Sequence, residues 1–444
     1  MDKRTDIMTD ISLLTRETEQ SCIELRRDLH RHPELGWCEY YTTSKLRKTL
    51  EQINIDSVIW GSELYSGVKK LGLPPSSSLD DASKIARNLG LTDEELTRMA
   101  GGNTGLIATI KGMKPGPTIA LRCEIDAEYM EESADSTHLP ARNKFRSENA
   151  GIMHTCGHDG HAAIVIGVAM LLSRIREHLH GNVKLIFQPA ETQTRGAVAL
   201  VKAGWLDDVN IFLAFHSKVI GGLRTGQICP AQNNILGTHK LMVKFTGKPA
   251  HFSLAADQGR NALTAASAVT LLSHAIPRRP GSRSQINVGR LVSGVAPNVV
   301  PADATIAMEV RAESDDLLNN LFDQASTFVS GIGIAFDVQT KVVKVGFSPC
   351  ADSDEELANI VSRAVSQITG LEITEPRECE GSQDAAAMMR HVQARSGLAT
   401  YIAIGTDRPA ADHTPKYDFD ERIIPIGIEV LTRTILQAGN LSKA

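Results

Sequence analysis

The chain has 444 residues, with 47 Lys and Arg against 52 Asp and Glu and a formal net charge of −5. A mildly acidic balance without concentrated positive charge excludes a nucleic-acid coat and a polybasic membrane anchor, because phosphate binding relies on clustered cations. With 42% hydrophobic and 22% charged residues, disorder, collagen and disulfide-scaffold readings fall away, and the length exceeds the roughly 250–300 residues at which one hydrophobic core stops growing.

The N-terminal stretch MDKRTDIMTDISLLTRETEQ carries no apolar run of signal-peptide length, and no uncharged apolar stretch of about 18 residues occurs anywhere, so neither secretion nor a membrane span is expected. Seven cysteines, Cys22, Cys38, Cys123, Cys156, Cys229, Cys350 and Cys379, are sparse, uneven and odd in number. They point to free thiols and a cytoplasmic home. Residues 20–50 read as a helix interrupted at Pro33-Glu34-Leu35-Gly36. Residues 60–104, rich in Gly, Ser and charge, read as a surface excursion with short helices rather than core. The pattern then becomes regular: a strand at 117–126, a long apolar helix at 161–179, a strand at 182–187, a helix at 195–203 and a strand at 211–215. From 237 to 348 the order is strand (240–245), helix (260–276), strands (286–291 and 304–311), helix (315–330) and strand (336–345). Helices at 353–368 and 382–391 and a strand at 400–404 return to the first pattern. The expected class is α/β: a doubly wound, mostly parallel sheet in two pieces, 1–236 and 349–444, interrupted by a ferredoxin-like β-α-β-β-α-β unit at 237–348.

Ligands of open α/β sheets bind beyond the carboxyl ends of the strands. Asp126, Gln188 to Glu191, His216 and Asp412-His413 all lie at such ends, and His154-Thr-Cys156-Gly-His158-Asp-Gly-His161 leads into the 161–179 helix. Thiolate and imidazole suit zinc and its neighbours, so Cys156 and His158 read as metal ligands. Glu191 reads as a general base or as a helix-capping acid, and His216 as a ligand or a strand-ending residue. His178, His180 and His391 read as ordinary packed or solvated side chains.

Met153 to His161, Phe187-Gln-Pro-Ala-Glu191, Ala250-His251, Asn298-Val-Val-Pro301 and His413 to Glu421 together resemble the dinuclear-metal amidohydrolases that include hippurate and indole-acetyl-amino-acid hydrolases. Within them the resemblance is to the branch acting on aminobenzoyl-glutamate, through Gly72-Leu-Pro-Pro75, Gly381-Ser-Gln-Asp384 and Gly405-Thr406. It implies Zn or Mn, one or two per chain, at Cys156, His158, His216 and His413. It implies Glu191 as general base, Asp126 as a supporting carboxylate, and His251 as an oxyanion stabiliser contributed across a dimer. Asn298 and Arg311 then hold the substrate carboxylate, and the inserted unit acts as lid and dimerisation domain of a homodimer or of a heteromer with a related subunit.

The family's second glutamate after Pro-Ala is a ligand, and here it is Thr192. Its Gly-Ser-Glu-Asp is Gly381-Ser-Gln-Asp384, and its Asp-x-Asp is Glu124-Ile-Asp126. A hydroxyl is a poor ligand for a divalent cation, so the second metal is expected to be weakly held or absent. The leading expectation is hydrolysis of a small N-acyl or aroyl amino acid such as an aminobenzoyl-glutamate-like amide. Thr192 and Gln383 favour two others, a biosynthetic amide or acyl reaction and a weakened partner subunit, while the retained ligand set and Glu191 favour hydrolysis.

Overall fold

The structure, a computed structural model, describes residues 3–217, 222–379 and 381–441. An eight-stranded sheet runs in the order Ser57–Trp60, Leu106–Lys111, His180–Gln188, Lys114–Glu124, Ile211–Ser217, Leu398–Ile404, Gln227–Cys229, Glu372–Ile373. The four inner strands, from His180–Gln188 to Leu398–Ile404, are mutually parallel. Alternate residues face opposite layers, as the pleat demands: Ile119, Leu121 and Cys123 join one core, Ala120 the other. Helices Lys3–Arg31, His158–Arg174 and Ile423–Ala438 cover the first face; Gly196–Lys202 and Ala385–Gln393 cover the second. This is the doubly wound α/β arrangement.

A separate four-stranded antiparallel sheet has the order Ser284–Ser293, Asp303–Ala312, Gly237–Thr246, Gln339–Ser348. Helices Ala262–Leu272 and Asp315–Ala335 back it around Val243, Phe245, Val269, Ile306, Leu321 and Val329. The chain order within it is strand, helix, strand, strand, helix, strand.

Two sequence expectations are corrected. The first helix begins at Lys3, well before residue 20. Ile11, Thr15, Thr18, Cys22, Leu25 and Leu29 are all buried at alternating spacings of four and three, one stripe of a helix. Two threonines in that stripe hide it from a hydrophobicity reading, because their hydroxyls bond back to the helix, Thr15 to Ile11 O and Thr18 to Leu14 O. The 60–104 segment is not a mere surface excursion either. Trp60, Leu64, Tyr65, Ala86, Leu96 and Met99 are buried, and a Thr92/Glu95 capping box starts its Asp93–Arg98 helix.

One buried cation ties the long helices to the C-terminal segment. Arg26 donates from Nε to Asp159 at 2.8 Å, from Nη2 to Asp418 at 2.6 Å and from Nη1 to Glu421 at 3.2 Å. Its guanidinium lies 4.4 Å from the Phe419 ring centroid and 5.0 Å from that of Phe145. Gly160 lets Phe419 approach, since a Cβ there would sit 2.3 Å from its Cζ. Burial opposes the charge, but the three carboxylates outweigh it and raise the Arg26 pKa. Removing one partner of such a network leaves uncompensated buried charge, so Arg26→Met is expected to cost about 3–5 kcal/mol, read as a lower urea midpoint with an unchanged slope.

Candidate metal centre

The inner strands end on one edge of the sheet: Glu124 lies opposite Gln188, and His216 opposite Ala403. Side chains at and just beyond those ends meet in a cavity of about 230 Å³. Cys156, His158, Glu191, Thr192, His216, His413 and Arg311 line it, as do Glu128, Lys240, Gln383 and Asp412. Asp126 lies buried behind the cavity wall.

The turn bearing Cys156 and His158 depends on Gly157, which has φ of 81° and caps the His158–Arg174 helix. A Cβ there would lie 2.8 Å from Ser217 Oγ and 2.9 Å from Tyr417 Oη, so backbone and space both demand glycine. Cys156 Sγ consequently sits 3.3 Å from His216 Nε2. His158 Nδ1 donates to the Asp126 carbonyl at 2.8 Å, and His216 Nδ1 donates to the Ser217 carbonyl at 3.0 Å. With Nδ1 tied down in this way, Nε2 is the atom of each ring left available to a metal. His158 Nε2 is buried without a hydrogen-bond partner; Cys156 influences its ionisation but makes no bond of proper geometry with it. Burial opposes charge on His158, yet Asp126, Cys156 and Glu124 raise its pKa above the ordinary imidazole value. The cavity therefore favours positive charge at this point, and its thiol and imidazole donors fit a divalent ion of the zinc type.

Glu124, His158, His161 and His216 also present ligand atoms within 4.8 Å of one another. Glu124 and His161 are committed to each other and to their neighbours. The Ser217 N–H donates to His161 Nε2 at 2.9 Å, so His161 Nδ1–H donates to Glu124 Oε2 at 3.0 Å, and Glu124 Oε1 accepts from Arg122. Arg122 is itself bonded to Gln188 and Asp384. This network underlies the cavity, while Cys156 and His413 line it.

Glu191 sits on a tight loop in which Ala190, Gln193 and Thr194 all have positive φ, between 52° and 74°. Such backbone costs of order 1–3 kcal/mol per residue and persists only where surroundings impose it. They do so here. The Thr192 N–H donates to Asp126 Oδ2 at 2.9 Å, Arg195 Nε to Thr192 O at 3.1 Å, and Arg195 Nη1 to Gly72 O at 2.8 Å. Phe347 N of the antiparallel sheet donates to Thr194 O at 2.9 Å. Burial, then the Glu124 and Asp126 charges, push the Glu191 carboxyl above its usual range, against the pull of His158 and Arg122.

Residues 120–437 match peptidase family M20/M25/M40. The chain is 37% identical over 413 residues to the indole-3-acetyl-aspartic acid hydrolase of Enterobacter agglomerans, covering 93% of this chain and 94% of that one. It is equally 37% identical, with the same coverage, to one subunit of the p-aminobenzoyl-glutamate hydrolase of Escherichia coli strain K12. Among solved structures, an aminobenzoyl-glutamate utilization protein from Klebsiella pneumoniae superposes with a TM-score of 0.79 at 31% identity, over 95% of this chain and 96% of that one. A Bacillus subtilis protein, a dinuclear metal binding peptidase from the M20 family, superposes with a TM-score of 0.65 at 25% identity, over 95% of this chain and 98% of that one.

The chain belongs to peptidase family M20/M25/M40. As a family member it is a metallo-amidohydrolase acting on amide bonds, and it binds divalent metal. No described helix is long and apolar enough to cross a membrane.

Of the residues singled out from sequence, His251 and Asn298 do not reach the cavity. Both are exposed on the antiparallel sheet unit, where His251 bridges to Val299 and the Phe252 N–H donates to Asn298 O at 3.1 Å. They lie beyond the Thr246/Asp303 end of its strands, whereas Lys240 and Arg311 lie near the Gly237/Ala312 end. At about 3.3 Å per residue, the seven steps from Lys240 to Gly247 alone span roughly 23 Å. Glu128, Lys240, Gln193 and Thr194 line the cavity without having been singled out. For Glu128 the available signal was its spacing of two from Asp126.

Behind the cavity, His30 lies between Asp159, 2.8 Å from Nδ1, and Glu132, 3.0 Å from Nε2. Burial works against its charge, and so does Arg26, but the two carboxylates prevail and raise it from 6.5 to about 9. A pKa raised on folding contributes stability that is full below pH 6.5 and is lost as pH rises through about 9. Urea stability of the wild type is expected to fall by up to about 3 kcal/mol across that window, and His30→Gln is expected to flatten the fall.

Proposed function

We propose that this protein hydrolyses the amide of a small N-acyl or aroyl amino acid whose amino-acid half is acidic, of the aspartate or glutamate type. The observation that carries this reading is a pair of cations, Lys240 and Arg311, that line the same cavity as Cys156, His158, His216 and His413. In the antiparallel sheet Thr238 lies opposite Arg311 and Lys240 opposite Glu309, so all four project from one face. Arg311 Nε donates to Glu309 Oε1 at 2.7 Å, and Lys240 Nζ lies 3.9 Å from the same oxygen. Two cations against one carboxylate leave a net positive wall. Among the described residues Arg311 is bonded through Nε only, so Nη1 and Nη2 remain as a planar fork for a carboxylate. The names of the two relatives at 37% identity, acting on indole-acetyl-aspartate and aminobenzoyl-glutamate, support a leaving amino acid with two carboxylates.

Cys156, His158, His216 and His413 would hold the metal. When bound, a divalent ion polarises the scissile carbonyl and lowers the pKa of a coordinated water towards about 7. Glu191 accepts the proton of the attacking water and delivers it to the departing amine nitrogen, which needs a proton to leave. Asp126 fixes both sides of this chemistry, because its carbonyl takes His158 Nδ1–H and its carboxylate takes the Thr192 N–H beside Glu191. Lys240 and Arg311 hold the amino-acid carboxylates.

His251 and Asn298 then act from a second copy of the chain, in a homodimer or a heteromer with a related subunit. Phe252, Leu254, Val292 and Val295 are between 52% and 90% exposed around them, an apolar face suited to such an interface.

Two measurements test the reading. Glu191→Gln is expected to lower kcat on aminobenzoyl-glutamate by about 10²–10⁴ with metal content unchanged, and Lys240→Ala to raise KM for acidic amino-acid amides about tenfold or more while sparing neutral ones; equal loss on both substrate classes would remove the specificity argument. Mixing inactive Glu191→Gln and His251→Ala chains is expected to restore about a quarter of wild-type activity, since half the dimers carry one intact site of two. A mixture that stays inactive, despite verified exchange, overturns the reading that His251 acts from the second copy, and a fully active His251→Ala places it outside the reaction.

A further inference from the structure

Thr192 leaves the family's site one carboxylate short, yet the cavity contains an acid at an unexpected place. Glu128 belongs to a two-residue strand, Glu128–Tyr129, that pairs antiparallel with Ile152–Met153 and sets Glu128 opposite Met153. That register brings its carboxylate beside the turn carrying Cys156 and His158. Glu128 Oε2 accepts from Thr155 Oγ1 and from His413 Nδ1, and Glu128 lines the same cavity as Cys156, His158 and His413.

The tie to His413 matters because little else orients that ring. His413 sits in a loop with φ of 57°, and its side chain is 59% exposed. A ligating imidazole whose other nitrogen donates to a carboxylate is fixed in tautomer and direction and becomes more basic. Thr192 has no charge to contribute, whereas Glu128 has both the charge and the contact.

We propose that Glu128 replaces the acid missing at position 192, holding His413 through Nδ1–H so that Nε2 is presented to the metal and adding the negative charge that the second ion needs. Glu128 is thus a positioning residue, and its role rests on the reading that Cys156, His158, His216 and His413 hold metal. The expected consequence is a two-ion site despite Thr192.

The test is calorimetric titration of metal-stripped protein with Zn²⁺ and separately with Mn²⁺, with no substrate present. Wild type is expected to take up two ions. Glu128→Gln is expected to weaken the weaker step about 10–100-fold, Thr192→Ala to change it less than about threefold, and the double variant Glu128→Gln/Thr192→Glu to recover most of the loss. Thermal melts of the stripped variants check that they fold, and the ¹⁵N signals of the His413 ring report whether Nδ1 keeps its proton, a readout that general destabilisation does not move. Glu128→Gln binding two ions as tightly as wild type overturns the proposal, and so does an equal loss in Thr192→Ala. Wild type binding no ion overturns the metal-ligand reading itself and the role of Glu128 with it.

Discussion

The site depends first on a charge that never reaches solvent. Arg26 projects from the N-terminal helix into the junction where the His158–Arg174 helix begins and the Asp418–Glu421 segment returns, and it satisfies an acid from each. Desolvating a guanidinium is costly, and the cost is met only if all three carboxylates arrive together. That requirement couples elements separated by almost the whole chain. It also fixes the start of the helix that bears His158, and Asp159 in turn holds His30. The turn that carries Cys156 and His158 is therefore anchored from behind by ion pairs, and its position is not left to the loop.

A second constraint acts from the front. Three residues around Glu191 hold positive φ without being glycine, a conformation that a free loop would abandon. It is imposed by Asp126 on one side and by Arg195 braced on Gly72 on the other. The antiparallel sheet adds a third hold at Thr194 and brings Lys240 and Arg311 opposite the donors. The 60–104 segment and the antiparallel sheet, which share no secondary-structure pattern, both serve to hold one strained turn in place.

The architecture was legible because its signals are local and periodic. Apolar runs such as Ile211 to Phe215 and the order strand, helix, strand, strand, helix, strand between residues 237 and 348 are written in consecutive residues. The part of the first helix before residue 20 was missed because its buried stripe contains Thr15 and Thr18, whose polarity is neutralised by bonds to the helix backbone that a hydropathy reading does not count. The 60–104 segment was misjudged because its few large apolar residues, Trp60, Leu64, Tyr65 and Met99, are diluted among Gly, Ser and charge, although each is buried.

For the site, sequence alone determined the chemistry on offer: a thiol, imidazoles and carboxylates placed just past strand ends, and a threonine where a carboxylate was expected. Residue type and proximity to a strand's end are properties of the chain itself. Which of those groups meet was decided only by the tertiary structure. Glu128 faces His413 across 285 positions of sequence, Lys240 and Arg311 share a face because two antiparallel strands set their register, and His251 is carried to the far end of that sheet. Charge acts through space over a few ångströms, so the acid that meets an imidazole need not be one near it in the chain.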